Sequence, residues 1–269
     1  MDTYIIDKPQ SDIDRRNVFS TVLLKNILDK TVAKYGPYKI KVTDSYMERE
    51  RLFNEMLSGK EINITAQTTQ VKWEDSLIPV RIPIDKGISC YKVLFIRKEM
   101  QSYFYKVKTL SKLKSSKLGV GSQWPEYNIY SENGFNVISG INYDGLFSML
   151  QIKRFSYFPR EINEVFTEYK MRKSLYPDMT IEKSILIYFP LPKYFFVSPS
   201  EPGLARRIEV GLNLMIADGS FGKLVYSYHS SVLKNTNFKS RRLFQIPNPF
   251  LSSETPLNRK ELWFNPYLK

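Results

Sequence analysis

The sequence has 269 residues, of which 42% are apolar, and it carries a formal net charge of +13. This length is enough for one or two domains with their own cores, and no apolar run reaches the about 20 residues that span a bilayer. The single cysteine, Cys90, excludes an internal disulfide. Residues 1–16 contain no basic start followed by an apolar stretch, which excludes a recognisable signal peptide. The protein is then either cytoplasmic or exported with a signal that lies outside this sequence.

The N-terminal third alternates between strand and helix patterns. Aspartates can cap its first helix, and glycines follow both helices. The sequence predicts strands at Thr3–Asp7, Tyr38–Val42 and Ile62–Ala66, and helices from Asp12 or Asp14 to about Lys34 and from about Tyr46 to Ser58. This β-α-β-α-β order is typical of a sheet covered by helices.

Residues 117–172 repeat this order and predict a parallel sheet. Strands are predicted at Leu118–Val120, at Phe135–Ile138 and up to Arg160, with helices that start near Pro125, Asn142 and Ile162. Glycines before the first of these helices leave backbone N–H groups free for an anion. Ligands bind beyond the carboxyl ends of parallel strands. Those ends are Gly121–Trp124 and Phe158–Glu161.

Two extended stretches connect these repeats to the rest of the chain. Tyr91–Ile96 is predicted to be a buried strand, and Ser184–Pro199 has the same character. Two helices follow, from about Pro202 and after Gly219, and the tail from Asn235 is predicted to wrap the surface. We therefore predict an α/β fold of two lobes with a ligand cleft between them. Lobe one comprises residues 1–91 and 193–269, and lobe two comprises residues 92–192.

Three stretches of the sequence resemble the periplasmic solute-binding proteins of family 3, which serve amino-acid ABC transporters and related sensors. Met47–Thr69 resembles the helix, glycine and strand that precede a ligand-contacting threonine turn. Tyr143–Glu164 resembles the helix-strand unit that closes lobe two. Gly211–His229, GLNLMIADGSFGKLVYSYH, is similar to the family's late motif of helix, D-G-[ST]-aromatic turn and helix. The resemblance covers nearly the whole chain and implies a two-lobed type II periplasmic-binding-protein (Venus-flytrap) fold with two hinge strands.

The resemblance also implies a function. A member of this family captures a small molecule by lobe closure and presents it to an ABC permease or a membrane receptor. It implies a periplasmic or otherwise extracytoplasmic location, an export signal upstream of Met1, a monomer and no cofactor. The alternative on the same fold is a basic interaction scaffold or signalling-input protein in which ligand binding is altered or lost.

The ligand is expected to differ from a standard amino acid. Family members that bind α-amino acids usually carry T-x-x-R after the threonine turn, and the arginine clamps the ligand carboxylate. Here the stretch reads TTQVKWED and offers Lys72 and Trp73. The acidic residue that usually pairs with the ligand ammonium is not recognised, since SYFPRE places Arg160 near that position. A cleft with Arg160 and either Trp73 or Trp124 suits an anionic or ring-bearing ligand.

Ten residues are predicted to bind the ligand, and each also has an ordinary structural explanation. Turn formation explains the polar residues after the third strand, packing explains the tryptophans, and a surface ion pair with Glu161 or Glu164 explains the arginine at the end of SYFPRE. The ten candidates are Lys8, Gln10, Arg16, Gln67, Thr68, Thr69, Trp73, Gln123, Trp124 and Arg160.

The sequence offers no catalytic constellation. His229 and Cys90 are the single residues of their types, so no Ser-His-Asp set, metal site or P-loop can be assembled. We therefore predict a binding protein and no catalytic residues. The basic run Arg97–Lys117 has aromatics interleaved at Tyr103–Tyr105, as in single-strand nucleic-acid binding. No nucleic-acid-binding motif accompanies it, so we expect a solvated surface and no specific nucleic-acid partner.

Overall fold

The computed structural model describes residues 1–9 and 16–267. These residues form twelve β-strands and ten α-helices. The strands are β1 (Asp2–Ile6), β2 (Tyr38–Val42), β3 (Ile64–Thr68), β4 (Ile78–Val80), β5 (Tyr91–Arg97), β6 (Lys117–Gly121), β7 (Asn136–Gly140), β8 (Tyr157–Glu161), β9 (Met179–Ile181), β10 (Ile185–Tyr188), β11 (Lys193–Val197) and β12 (Arg242–Gln245). The helices are α1 (Val18–Tyr35), α2 (Arg49–Ser58), α3 (Val71–Ser76), α4 (Gln101–Tyr105), α5 (Leu110–Lys114), α6 (Pro125–Glu132), α7 (Tyr143–Gln151), α8 (Ile162–Arg172), α9 (Pro202–Ala217) and α10 (Ser220–Thr236).

The predicted elements occur in the predicted order, with boundaries that differ by a few residues, and the structure adds the unpredicted elements α3, β4, α4, α5, β9 and β12. The strand predicted at Tyr38–Val42 has the predicted bounds, and α2 starts at Arg49, three residues after its predicted start. The predicted start of the first helix, at Asp12 or Asp14, lies outside the described residues. None of the helices in the described parts of the chain is both long and apolar enough to cross a membrane.

The described residues divide into two compact units. Unit 1 contains Met1–Gly87, Pro192–Tyr228 and Ser252–Phe264, and unit 2 contains Ile88–Leu191, His229–Leu251 and the chain from Asn265 onward. The sequence-based division placed residues 229–251 in lobe one. The structure groups them with unit 2 because β12 pairs in parallel with β10. The tail that was predicted to wrap the surface thus contributes a strand.

Unit 1 contains two small sheets that Asn63 links. β1 pairs in parallel with β2, and β11 lies between β3 and β4 in an antiparallel sheet. The Asn63 side chain accepts a hydrogen bond from the Ile5 N–H (2.8 Å) and donates one to the Thr3 carbonyl (2.8 Å). These bonds add to the backbone bond from the Asn63 N–H to the Ile5 carbonyl (3.2 Å). The strand predicted from Ile62 begins at Ile64, and unit 1 contains two sheets.

Helices α1 and α9 of unit 1 pack across a fully buried arginine. Arg207 has an exposed fraction of 0%. Its guanidinium donates to the Thr31 hydroxyl (3.0 Å), the Gly36 carbonyl (2.8 Å) and the Asp2 carboxylate (2.9 Å). A buried guanidinium depends on these acceptors because an uncompensated buried charge is costly. The side chain therefore ties the start of β1 to both helices.

Unit 2 is built on one mixed sheet. Its strands follow the order β12-β10-β5-β8-β6-β7, with β9 beside β5. β6 pairs in parallel with both β7 and β8, as predicted, whereas β5 is antiparallel to β8 and β10. All seven residues of β5 are buried. This confirms the prediction of a buried strand at Tyr91–Ile96.

We expect Arg207→Met to destabilise unit 1. The substitution leaves the Gly36 carbonyl and the Asp2 carboxylate without their donor, so the free energy of unfolding should fall by about 2–4 kcal/mol. Thermal or urea unfolding followed by circular dichroism measures the change. The control is Arg206→Met at the exposed neighbouring position, which should change stability by less than about 0.5 kcal/mol. Equal effects of the two substitutions would contradict a role for the buried guanidinium.

Candidate functional site

Unit 1 has a polar pocket at the carboxyl end of β1, beside the start of α1. It measures about 250 Å³, part of it open to solvent. Strand carboxyl ends are the usual ligand positions in α/β sheets. The polar part of its lining consists of Asp7, Asn17, Ser20, Thr21 and Thr65.

Asp7 is the ionisable group of this pocket. Its carboxylate accepts hydrogen bonds from the Thr65 hydroxyl (2.9 Å) and the Asn17 side-chain amide (2.5 Å). Burial raises the pKa of Asp7 above its ordinary value of 3.8, although these hydrogen bonds and the charge of Arg16 act in the opposite direction. The ionised carboxylate therefore lowers the stability of the fold, a cost that is common in functional sites.

Lys8 and Arg16 lie near this pocket in sequence, and both are exposed. The Lys8 N–H donates to the Thr43 hydroxyl (3.0 Å), and its ammonium donates to the Asp44 carbonyl (3.0 Å). The charge of Arg16 acts on Asp7. The third candidate of this region, Gln10, lies outside the described residues.

Arg49 stabilises the turn that follows β3. It was not among the residues predicted from the sequence. Its guanidinium donates to the Gln67 side-chain oxygen (2.8 Å) and the Thr68 carbonyl (2.9 Å). Its Cζ lies 4.9 Å from the centroid of the Trp73 ring. The structure thus brings three predicted binding residues around one arginine. The only sequence signal was the position of Arg49 inside the stretch Met47–Thr69 that carries the family resemblance.

Thr69 and Trp73 are directed into the interior of unit 1. The Thr69 hydroxyl donates to the Glu74 carboxylate. The Trp73 side chain is 2% exposed and packs against the rings of Phe53 and Phe196. The expectation that Trp73 faces a ligand is corrected here, because aromatic packing in the core covers the indole.

Unit 2 has a second polar pocket, at the carboxyl ends of β6 and β8 and beside the start of α6. It measures about 220 Å³, part of it open to solvent. This is the sheet edge at which the sequence predicted ligand binding. The charged and aromatic residues of its lining are Lys92, Trp124, Glu126, Tyr130, Arg160 and Glu161.

Lys92 is a buried cation in this pocket, 2% exposed. Its ammonium donates to the Ser89 carbonyl (2.5 Å) and the Glu161 carboxylate (3.3 Å), and it lies 3.7 Å from the Glu126 carboxylate. Burial lowers the pKa of Lys92, but the two carboxylates outweigh burial and raise it overall. Lys92 therefore stays protonated and neutralises one carboxylate of the pocket.

Arg160 lies at the predicted strand end but is already paired. Its guanidinium forms ion pairs with Glu164 and Glu168, and its Cζ lies 4.8 Å from the Trp124 ring centroid and 5.4 Å from that of Tyr143. It is 7% exposed. The expected alternative, an ion pair with Glu164, is present and is buried. Two carboxylates facing one guanidinium leave no positive charge for an anionic ligand.

The remaining polar groups of this pocket lie at the start of α6. Gln123 is exposed, and Trp124 is half-buried and stacks on Phe158 with ring centroids 6.1 Å apart. Gly121 lies under the indole, where an added Cβ would come within 2.5 Å of the ring. The Tyr130 hydroxyl is buried and has no hydrogen-bond partner among the described residues. Native proteins rarely leave a buried hydroxyl unpaired, so we consider Tyr130 a candidate ligand contact.

No protein-family model matches the chain, and neither does any curated protein sequence. Several solved structures match over most of their length. An ancestral arginine-binding protein bound to glutamine is 16% identical, with a TM-score of 0.61, and the match covers 85% of this chain and 98% of that one. An arginine-specific periplasmic binding protein of Salmonella typhimurium is 14% identical, with a TM-score of 0.54 and coverages of 83% and 97%.

A histidine kinase sensor domain with similarity to periplasmic binding proteins also matches. It is 11% identical, with a TM-score of 0.58, and the match covers 84% of this chain and 95% of that one. The three structures named here are two binding proteins and a sensor domain. The chain therefore has the α/β fold of the periplasmic amino-acid-binding proteins, as the resemblance implied.

We expect Asp7→Asn to raise stability near neutral pH. A carboxyl whose pKa is higher in the folded than in the unfolded chain holds its proton more tightly when folded, so its ionisation destabilises the fold as the pH rises between the two pKa values. Asparagine can still accept the Thr65 hydrogen bond without the charge, while the loss of the acceptor for the Asn17 amide offsets part of the gain. The free energy of unfolding should exceed that of the wild type near neutral pH, and the gap should narrow as the pH falls towards 3.8.

Unfolding by urea at a series of pH values tests this expectation. Asp75→Asn, at an exposed carboxylate, is the control and should show no such pH-dependent gain. A variant at Asp7 that is less stable than the wild type at every pH would contradict the interpretation of this carboxylate as a stability cost.

Proposed function

We propose that the chain is an extracytoplasmic solute-binding protein. It captures a small polar molecule by closure of its two lobes and presents the molecule to an ABC transporter or a sensor. The fold supports this proposal, and the observation that carries it is the half-buried Asp7 carboxylate in the pocket at the end of β1, hydrogen-bonded by Thr65 and Asn17. A carboxylate whose burial raises its pKa costs stability, and a bound hydrogen-bond donor would offset that cost. No bond is made or broken in this function.

The proposed ligand carries a donor group, an ammonium or a hydroxyl, that reaches Asp7. The sequence favoured an anionic or ring-bearing ligand because of Arg160. That preference weakens because Glu164 and Glu168 already neutralise this guanidinium. An aromatic contact with the half-buried Trp124 remains part of the proposal, and the Tyr130 hydroxyl is a second polar contact.

The proposed binding set combines sequence candidates with residues that the structure adds. The sequence candidates that we retain are exposed or half-buried at strand ends and helix starts, whereas Trp73 is left out because the core buries it. The set is Lys8, Arg16, Gln67, Thr68, Gln123 and Trp124, with Asp7, Asn17, Thr65 and Tyr130 added.

Native mass spectrometry of freshly purified protein tests the function. We expect a small-molecule adduct that disappears after unfolding and refolding, and its mass gives the ligand. A thermal-shift screen of amines, amino acids, acids and aromatic compounds then tests its chemistry. We expect stabilisation by compounds with an ammonium or hydroxyl donor.

Two variants separate binding from folding. Asp7→Asn and Tyr130→Phe should lose the adduct and the thermal shift while remaining folded, because asparagine keeps an acceptor for Thr65 and the Tyr130 hydroxyl has no hydrogen-bond partner among the described residues. Asp75→Asn should retain both. If acids alone stabilise the protein, the proposed ligand chemistry is wrong. If no adduct and no stabilising compound are found, the proposed capture of a solute is wrong.

The second candidate function is a signalling-input or interaction role on the same fold. The match to a histidine kinase sensor domain supports this second candidate function. Absence of a ligand adduct, together with absence of any stabilising compound, would support this role over solute capture.

A further inference from the structure

Unit 2 carries a surface of five lysines that the proposed ligand capture does not use. We call this surface the basic face. It is formed by α4, α5, the segment between them and the start of β6. Its members are Lys106, Lys108, Lys112, Lys114 and Lys117.

Contacts with aromatic rings tie two of these lysines, Lys108 and Lys112, to the tyrosines of α4. The Lys108 ammonium lies 4.9 Å from the centroid of the Tyr105 ring, and the Lys112 ammonium lies 5.7 Å from that of Tyr103. The Tyr103 hydroxyl in turn is 2.8 Å from the Ser116 hydroxyl, directly before the last lysine of the face. The five lysines therefore lie on one short stretch of chain, after α4, in α5 and at the start of β6.

The charge of the basic face is not compensated. None of its five ammonium groups forms an ion pair with a carboxylate of the described residues, whereas the lysines at positions 25, 30, 72, 92 and 153 all do. Glu99 is the only acidic residue between positions 97 and 117. Its carboxylate is bound by Arg97 and Lys153. The basic face thus presents several unpaired positive charges to solvent.

An exposed aromatic side chain lies among these charges. Tyr105 is 64% exposed, while its neighbour Phe104 is fully buried and anchors α4 to the core of unit 2. Tyrosine combines an apolar ring with a polar hydroxyl, which suits it to the boundary between water and an apolar phase. The face therefore offers one exposed aromatic group, with the Lys108 ammonium beside its ring.

We propose that the basic face docks the protein on the surface of an anionic lipid bilayer. Clusters of four to eight basic residues are attracted to anionic headgroups, and each residue adds to the binding. The five lysines provide such a cluster, and lysine acts as a compact point charge that needs no defined phosphate geometry.

A single-stranded nucleic acid fits the same surface less well. Binding of this kind uses aromatic rings on which successive bases stack. Both rings already lie under lysine ammonium groups, Tyr105 under Lys108 and Tyr103 under Lys112, and the Tyr103 hydroxyl is also bonded to Ser116. The five basic side chains of the face are lysines, and the neighbouring Arg242 is half-buried and donates to the Val107 carbonyl. Arginine is the side chain that forms paired hydrogen bonds with bases and phosphates.

Vesicle flotation with the full chain tests the proposal. We expect binding to phosphatidylcholine vesicles that contain phosphatidylglycerol, no binding to pure phosphatidylcholine vesicles, and release of the protein as salt is raised. The combined variant Lys106→Gln, Lys108→Gln, Lys112→Gln, Lys114→Gln should weaken binding at least about tenfold. Adding Tyr105→Ser to this combined variant should weaken vesicle binding further.

A control variant removes the same charge from unit 1, with glutamine at the exposed lysines Lys39, Lys41, Lys60 and Lys223. It should bind within about twofold of the wild type if the basic face is the docking surface. Equal losses in both variants would overturn the proposal in favour of a general effect of net charge. Failure of the wild type to prefer anionic vesicles would overturn it as well. Lysine-dependent binding to an oligonucleotide but not to vesicles would assign the face to nucleic acid instead.

Discussion

The pairing register of β5 against β8 is the constraint on which unit 2 depends. It places Lys92 opposite Glu161, both buried, so an ion pair forms within the sheet. A slip of one residue would bring Lys92 opposite Arg160 and bury two cations together, besides turning each strand to its other face. The pair thus fixes the register. The register then sets which side chains of β8 reach the sheet edge where α6 begins with Trp124.

Both pockets contain polar groups that a fold selected for stability alone would avoid. Asp7 keeps a carboxylate where burial raises its pKa, and the Tyr130 hydroxyl has no hydrogen-bond partner among the described residues. By contrast, the buried guanidinium of Arg207 donates hydrogen bonds to several acceptors. Buried polar groups are normally satisfied, and one that is not calls for an explanation, such as a bound molecule. This difference supports assigning the first two residues to ligand binding and the third to the fold.

The sequence patterns located the strand ends. They did not reveal the charge pairing and burial of the polar groups at those ends. Pro125 and the glycines before it predicted where α6 starts, because their conformational limits are local. Arg160 was expected to meet a ligand, but its charge is met by carboxylates from α8. Asp7 was read only as the end of a strand. Its environment comes from Asn17 and Thr65, which are distant in sequence, so no local pattern could reveal it.

The sequence by itself determined the order of strands and helices, the buried strand at Tyr91–Ile96 and the α/β class, because hydrophobic periodicity and helix-ending residues act over a few positions. Only the tertiary structure decided which polar groups are buried and which charges are neutralised. Trp73 is buried by Phe53 and Phe196, the latter far along the chain. Burial and pairing depend on contacts between distant segments, and electrostatic interactions depend on distance in space rather than in sequence.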